Sequence, residues 1–152
     1  HYSYLLGDVC FTGDIGGIRI GGRRNVRLPM PPPELNLQLW RESLQRLHQV
    51  SIAKISPTHF GIYSDPDWHL AQIGQEINSM EQWLDSEMAE TVPPDQFRQD
   101  FRLWTHVQAI QQGTAPDDLQ AEELVNPPDM SADGLYRYWV KFRAQAKKSI
   151  KA

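Results

Sequence analysis

Two short segments of the sequence contain side chains that could bind a metal ion. Residues 11–14 (FTGD) place Asp14 directly after a β-like run, and residues 56–61 (SPTHFG) place His59 after another. Aspartate and histidine are both common ligands of zinc and iron. Since functional groups in α/β sheets gather at the carboxyl ends of strands, we expect Asp14 and His59 to lie within a few ångströms of a common point.

Each of these two residues also has a purely structural interpretation. An aspartate after a glycine is a frequent turn former, and an isolated histidine is more often a hydrogen-bonded structural residue than a ligand. The other internal histidines, His48, His69 and His106, lie on predicted helices. We expect surface or packing roles for them.

A basic segment follows Asp14 in an otherwise acidic chain. Arg19, Arg23 and Arg24 lie in or just after the glycine-rich residues 15–22, and they are candidates for binding an anionic substrate. A solvated basic loop is the alternative explanation. The whole chain has 15 Lys+Arg against 19 Asp+Glu and a net charge of −4, which argues against a nucleic-acid binder.

The elements that must position these residues begin with β-structure. Residues 2–6 and 9–12 are predicted to form two strands of a hairpin, because the turn dipeptide Gly7-Asp8 separates them. The second strand is predicted to end at Gly13-Asp14, with a glycine-rich loop after it. A third short strand is predicted over residues 52–56, stopped by Pro57.

The remainder of the chain is predicted to be helical. Apolar residues at helical spacing follow Asn36, and Asp65-Pro66-Asp67 is a strong start signal for a long helix. Pro93-Pro94 is predicted to end that helix and a second one to follow it, with Gly113 after its last turn. A short helix is expected over residues 117–124, and a final helix capped by Ser131.

Length and composition limit the class of protein. The 152 residues fit one domain of ordinary size, and the single cysteine, Cys10, excludes a disulfide framework. No apolar run approaches the roughly 20 residues of a membrane span, and no secretory signal is recognisable. We therefore expect a cytoplasmic protein without a membrane partner. Because the chain starts with His1 and goes straight into β-like sequence, we also expect further sequence before it.

The sequence resembles the metallo-β-lactamase-fold hydrolases, in particular their glyoxalase-II-like branch. The matching segments are residues 2–5 (YSYL) after a histidine, 11–14 (FTGD), the proline-rich loop with its helix, and 58–61 (THFG). Residues 126–139 are similar to the closing helix of bacterial members. The resemblance covers essentially the whole chain. It implies the C-terminal half of a four-layer αββα sandwich, with about three strands in residues 1–65 and a helical C-terminal region in residues 66–152.

The resemblance also implies a site and a reaction. Asp14 matches the aspartate that bridges two metal ions, and His59 matches a ligand of the second metal. The cofactor would be two zinc ions, with iron or manganese as alternatives, and metal-bound hydroxide would attack an ester, thioester or similar bond. The family's His-x-His-x-Asp-His motif does not occur in this chain, and His1 best matches a second histidine that is mostly not a ligand.

The resemblance leads to two competing hypotheses. In the first, the complete protein is a di-metal hydrolase of a small-molecule substrate, and a preceding N-terminal half of the same fold supplies the missing ligands. The 152-residue chain alone would then be inactive. In the second, the chain is a non-catalytic helical interaction or dimerisation module that forms a homo-oligomer. A nuclease of the same fold is disfavoured by the acidic charge balance.

Overall fold

The computed structural model of the protein describes residues 2–20, 24–59 and 61–143. Within these ranges the chain is mixed α/β, in agreement with the predicted fold class at that level. His1 and Arg23, to which the sequence analysis assigns roles, lie outside the described residues.

The strands form one sheet with the order β1-β2-β3. These are β1 (Tyr4–Leu6), β2 (Val9–Ile18) and β3 (Lys54–His59). β1 pairs antiparallel with β2 across the tight turn at Gly7, whose φ of 61° suits a glycine. The predicted hairpin is therefore confirmed, and β2 then pairs parallel with β3.

β2 does not end at Gly13-Asp14, so this part of the sequence-based prediction is wrong. The strand continues to Ile18 through an irregular segment, which we call the β2 bulge and define as residues 13–18. Gly13 pairs with Pro57 and Ile18 pairs with His59, so β2 contains more residues than β3 between these two pairs. Gly13 and Gly17 have φ values of 60° and 69°, a conformation that glycine adopts at little cost.

The predicted end of the third strand at Pro57 is also wrong, because β3 continues to His59. Ile55 exchanges two backbone hydrogen bonds with Tyr63, on the side of β3 that faces away from β2. Backbone nitrogens alternate along a strand, so the nitrogen of Pro57 points to that same outer side. Pro57 therefore removes no donor from the pairing with β2.

Five α-helices are described, and their positions agree closely with the periodicity of the sequence. They are α1 (Leu37–Leu47), α2 (Pro66–Glu87), α3 (Pro94–Gln111), α4 (Pro116–Val125) and α5 (Pro128–Tyr138). A π-helical turn, Trp139–Arg143, continues α5. Gly113 follows α3 with a φ of 74°, as predicted for a residue just beyond a helix end. No helix in these described ranges has both the length and the apolar character needed to cross a membrane.

Ser131 is not the N-cap of the last helix, which corrects a further prediction. α5 already begins at Pro128, because proline at the first helical position needs no hydrogen-bond partner for its nitrogen. Ser131 lies one turn inside the helix, and its hydroxyl donates to the side-chain oxygen of Asn126 at 3.0 Å.

The chain divides into two compact units. The first, the sheet unit, comprises residues 1–29 and 37–86, and the second, the helical unit, comprises residues 30–36 and 87–152. α2 belongs to the sheet unit, so these bounds differ from the division at residue 65 used in the sequence analysis. The assignment of residues 1–65 to a metallo-β-lactamase-like domain stays a prediction.

Each unit has its own apolar core. In the sheet unit, the predicted faces of α1 and α2 are buried, namely Leu37, Trp40, Leu44, Leu47, Leu70, Ile73, Ile77, Met80 and Leu84. In the helical unit, the buried side chains include Phe97, Phe101, Leu135, Tyr138 and Trp139. Burial of the apolar face is what stabilises these amphipathic helices, since helical propensity alone contributes little.

Candidate functional site

The structure brings together the two residues that the sequence analysis selects as metal ligands. His59 Nε2 lies 3.6 Å from Asp14 Oδ1. Asp14 is in the β2 bulge and His59 is the last residue of β3, so the parallel pairing of these strands creates the contact. The two side chains are 24% and 29% exposed, which leaves both accessible to a ligand. Asp14 does not lie at a strand end, contrary to the prediction.

The separation of the two atoms is longer than a hydrogen bond. It suits a weak ion pair, and it also suits two ligands of one metal ion. With metal–ligand distances of about 2.0–2.2 Å and tetrahedral to trigonal angles, two ligand atoms lie roughly 3.3–3.8 Å apart. The geometry of the Asp14–His59 pair is therefore compatible with part of a metal site.

A complete metal site needs more ligands than this pair. Structural zinc has four protein ligands and catalytic zinc usually has three. Among the residues that the structure describes, no group of three or more histidine, cysteine or acidic side chains could hold an ion. Asp14 and His59 thus fit the metal implied by the resemblance as two ligands, and the remaining ligands would have to come from elsewhere.

Side chains from other elements hold the backbone of the β2 bulge. Trp40 on α1 donates its indole N–H to the Ile15 carbonyl at 2.9 Å. His69 on α2 is fully buried, and its Nε2 lies 2.7 Å from the Gly16 carbonyl. Because a carbonyl only accepts, His69 Nε2 carries the proton in this contact.

His69 is more than the ordinary surface or packing residue expected from the sequence. Burial lowers the pKa of its imidazole, which favours the neutral ring, and the bond to Gly16 opposes that shift. Its second nitrogen, Nδ1, is buried and has no hydrogen-bond partner in the described part of the protein. The sequence offers no signal for the role of His69, because its partner is a backbone carbonyl far away in the chain.

Arg19 has a structural role in this arrangement. Its guanidinium is buried and makes two hydrogen bonds to the Asp65 carboxylate, at 2.6 and 3.1 Å. It also lies over the rings of Tyr63 and Trp68, at 4.0 and 4.9 Å from their centroids. The hydrogen bonds from Arg19 lower the pKa of Asp65. These contacts favour a structural role for Arg19 over substrate binding. Its pairing with Asp65 is not predicted from the sequence.

Arg24 is the more accessible of the two described arginine candidates. Its side chain is exposed, and its Nε lies 3.8 Å from Asp65 Oδ2. The guanidinium also lies 4.7 Å from the centroid of the Trp68 ring. A cation held loosely at the surface in this way remains available to an anion. Substrate binding by Arg24 stays a prediction.

Comparisons with protein-family models, with curated proteins and with solved structures found no significant match to this chain. Assignment of a function therefore depends on the residues of the chain and on their geometry.

Proposed function

We propose that this chain is the C-terminal part of a metal-dependent hydrolase of the metallo-β-lactamase superfamily. In this proposal, Asp14 and His59 are two of the metal ligands. The observation that carries it is the 3.6 Å approach of Asp14 Oδ1 to His59 Nε2. Two potential ligands far apart in sequence meet, partly exposed, at the carboxyl end of β3, and the carboxyl ends of parallel strands commonly hold functional sites in α/β proteins.

The two side chains have the chemistry that a di-metal site requires. The carboxylate of Asp14 has two oxygens and can bridge two cations, whereas the imidazole of His59 binds one cation through a single nitrogen. When bound, the metal ions would lower the pKa of a water molecule and supply hydroxide near neutral pH. Esters, thioesters and similar carbonyl compounds are the substrate class that this chemistry suits.

The exposed edge of the sheet supports the presence of a further part of the same fold. β1 lies at the edge, and all three of its residues, Tyr4–Leu6, are exposed. Phe11 on β2 is exposed as well. An exposed apolar edge strand is a site for pairing with another chain segment, and a sheet this short is a weak unit by itself. We propose that an N-terminal half of the sandwich covers this edge and supplies the remaining ligands.

A comparison of two polypeptides tests this proposal. One is the 152-residue chain and the other is a longer chain that includes the sequence encoded before it. Zinc content and affinity are measured by equilibrium dialysis with elemental analysis. We expect weak zinc binding by the 152-residue chain, because affinity depends on ligand number and preorganisation. We expect about two tightly bound ions in the longer chain.

Matched variants identify the ligands in the same experiment. Asp14→Ala and His59→Ala should lower the zinc content of the longer chain. Asp129→Ala and His106→Ala, which change the same residue types on α5 and α3, should not. Unchanged zinc content in Asp14→Ala and His59→Ala would show that the pair is only a structural ion pair. Tight stoichiometric zinc in the 152-residue chain would contradict the proposed contribution of a second half.

The alternative function is a non-catalytic interaction or dimerisation module, and one observation favours it. Leu103, Val107 and Ile110 are exposed on α3 and recur at a spacing that places them on one face of the helix. An exposed apolar stripe of this kind is typical of a protein-binding surface. Sedimentation analysis of the chain and of Leu103→Ser/Ile110→Ser would test it, because a dimer that depends on the stripe should dissociate in the variant.

A further inference from the structure

Three side-chain donors from outside the strand hold the β2 bulge and the residue that follows it. Each donor bonds to a different backbone carbonyl of the segment from Ile15 to Arg19. The three hydrogen bonds are Trp40 Nε1 to the Ile15 oxygen at 2.9 Å, His69 Nε2 to the Gly16 oxygen at 2.7 Å, and Tyr63 Oη to the Arg19 oxygen at 2.7 Å. The donors come from α1, from α2 and from the segment between β3 and α2.

These hydrogen bonds replace partners that a regular strand would provide. Where the register between β2 and β3 shifts, backbone carbonyls of the bulge lose their positions in the β-ladder. A buried carbonyl without a partner is costly, so donors from the neighbouring helices stabilise the irregular conformation. Trp40 and His69 are both buried, and their rings are therefore fixed in position by packing.

The backbone of the bulge is closely surrounded at Gly16 and Gly17, where no side chain would fit. A Cβ atom at Gly16 would lie 2.0 Å from the Thr12 hydroxyl oxygen, and one at Gly17 would lie 2.8 Å from the Arg27 carbonyl oxygen. Gly17 also has a positive φ of 69°. Tight surroundings together with side-chain hydrogen bonds determine such a conformation more strongly than the local sequence does.

The carbonyls that Trp40 and His69 bind belong to the two residues directly after Asp14. We propose that Trp40 and His69 are positioning residues, which hold the β2 bulge so that the Asp14 carboxylate faces His59. A role in metal binding rests on the function proposed above. The positioning itself does not, because the Asp14–His59 approach can be measured on the metal-free chain.

The test uses the metal-free 152-residue chain and nuclear Overhauser contacts between the His59 ring protons and the Asp14 β-protons. Trp40→Phe removes one N–H donor and keeps an aromatic ring. His69→Leu removes the other donor, whereas His69→Gln keeps an N–H near the same place. We expect loss of the contact in Trp40→Phe and in His69→Leu, and its retention in His69→Gln. Urea denaturation of each variant measures its overall stability.

Tyr136→Phe is the matched control. It removes a hydrogen bond of the same kind, from the Tyr136 hydroxyl to the Val92 carbonyl at 3.0 Å, within the helical unit. We expect it to keep the Asp14–His59 contact. Loss of the contact in this control as well would overturn the proposal, because general loosening would then explain the result. Persistence of the Asp14–His59 contact in both Trp40→Phe and His69→Leu would also overturn the proposal.

A second measurement separates this inference from the proposed function. In the longer chain, Trp40→Phe and His69→Leu should lower zinc affinity by roughly 10–100-fold, as is typical when the support of a ligand is removed. If the longer chain binds no zinc but the variants still lose the Asp14–His59 contact, the proposed function fails and the positioning role stands. If zinc binds tightly and the variants leave both affinity and contact unchanged, the positioning role fails alone. If His69→Leu does not fold, Trp40→Phe decides, and its retained contact would overturn the proposal. If Trp40→Phe does not fold, His69→Leu compared with His69→Gln decides, and equal contacts in these two variants would overturn it.

Discussion

The sheet unit and the helical unit are stabilised by different kinds of interaction. In the sheet unit, polar side chains inside the structure hold irregular backbone: Trp40 and His69 bind carbonyls of the β2 bulge, and buried Arg19 pairs with Asp65. In the helical unit, regular helices satisfy most of the backbone, Arg102 pairs with Asp129 at the surface, and Tyr136 binds the Val92 carbonyl between two helices. Regular helices need apolar packing, whereas an irregular strand needs specific donors.

This difference explains where a functional site can form. An irregular backbone segment can present a side chain such as Asp14 at an angle that a regular strand would not allow. The surrounding structure must then stabilise it with hydrogen bonds and close packing. The sheet unit has these features at the β2 bulge, whereas a charged pair of the helical unit such as Arg102–Asp129 lies at the surface.

The largest expected effect concerns activity, and it tests whether the chemistry belongs to the sheet unit. In the complete enzyme that we propose, Asp14→Ala should abolish turnover, because it removes the carboxylate that would hold both metal ions. His59→Ala should reduce turnover less, since the ligands of the other metal remain. Metal content and the rate of hydrolysis of esters and thioesters are measured for both variants. Gln111→Ala, in the helical unit, is the control. Near-normal turnover of Asp14→Ala would identify Asp14 as a structural residue of the β2 bulge only.

The next effect concerns the core of the helical unit. Phe101 is 2% exposed and Leu103, two residues further along α3, is 65% exposed. Phe101→Ala should lower the free energy of unfolding by about 3–5 kcal/mol, because it removes a buried ring and leaves a cavity. Leu103→Ala should change it by less than about 0.5 kcal/mol. Urea denaturation followed by tryptophan fluorescence measures both, and equal losses would contradict the packing described for α3.

A third prediction uses two carboxyl groups whose pKa values shift in opposite directions. Hydrogen bonds from Arg19 lower the pKa of Asp65 in the sheet unit, from its ordinary value near 3.8. Burial, together with the nearby Asp100, raises the pKa of Glu87 in the helical unit, from its ordinary value near 4.5. The contribution of Asp65 to stability is therefore complete above about pH 4 and is lost as the pH falls through its lowered pKa. Glu87 destabilises the fold at neutral pH, and this penalty disappears as the pH falls below its ordinary value.

The two substitutions that test this prediction should change the free energy of unfolding in opposite directions at pH 7. Asp65→Asn should cost roughly 1.5–3 kcal/mol, because it removes a charged partner of buried Arg19. Glu87→Gln should raise the stability by a smaller amount. For both variants, the difference in the free energy of unfolding from the unchanged protein should shrink when urea denaturation is repeated near pH 3. A difference for Asp65→Asn that does not depend on pH would show that its charge is not the cause.

The smallest effects come from glycine substitutions in helices of the two units. A Cβ at Gly134 on α5 would lie 1.9 Å from the Met30 carbonyl oxygen, whereas a Cβ at Gly74 on α2 would meet nothing within 4 Å. Gly134→Ala should therefore cost about 1–3 kcal/mol through overpacking. Gly74→Ala should stabilise the protein by about 0.5–1 kcal/mol, because alanine favours the helix. Thermal unfolding measures both changes, and changes of the same sign would contradict the close contact at Gly134.

The sequence by itself determined most of the regular elements. The apolar spacing of Leu37, Trp40 and Leu44 predicted α1, and Asp65-Pro66 predicted the start of α2. Gly7-Asp8 predicted the hairpin. These signals are interactions between near neighbours in the chain, namely periodic burial, helix starts and turn conformations. They can therefore be recognised without knowledge of the tertiary structure.

The tertiary structure alone decided the shape of the candidate site. The glycine-rich residues after Asp14 have no local preference for a strand, and Pro57 suggested that β3 would stop before His59. β2 continues because its irregular segment accepts hydrogen bonds from Trp40 and His69, which are distant in the sequence. β3 continues because the nitrogen of Pro57 points away from β2 and removes no donor from that pairing. The sequence selected Asp14 and His59 by residue type. Only long-range pairing and buried donors could bring the two side chains to 3.6 Å, because those contacts lie outside any local pattern.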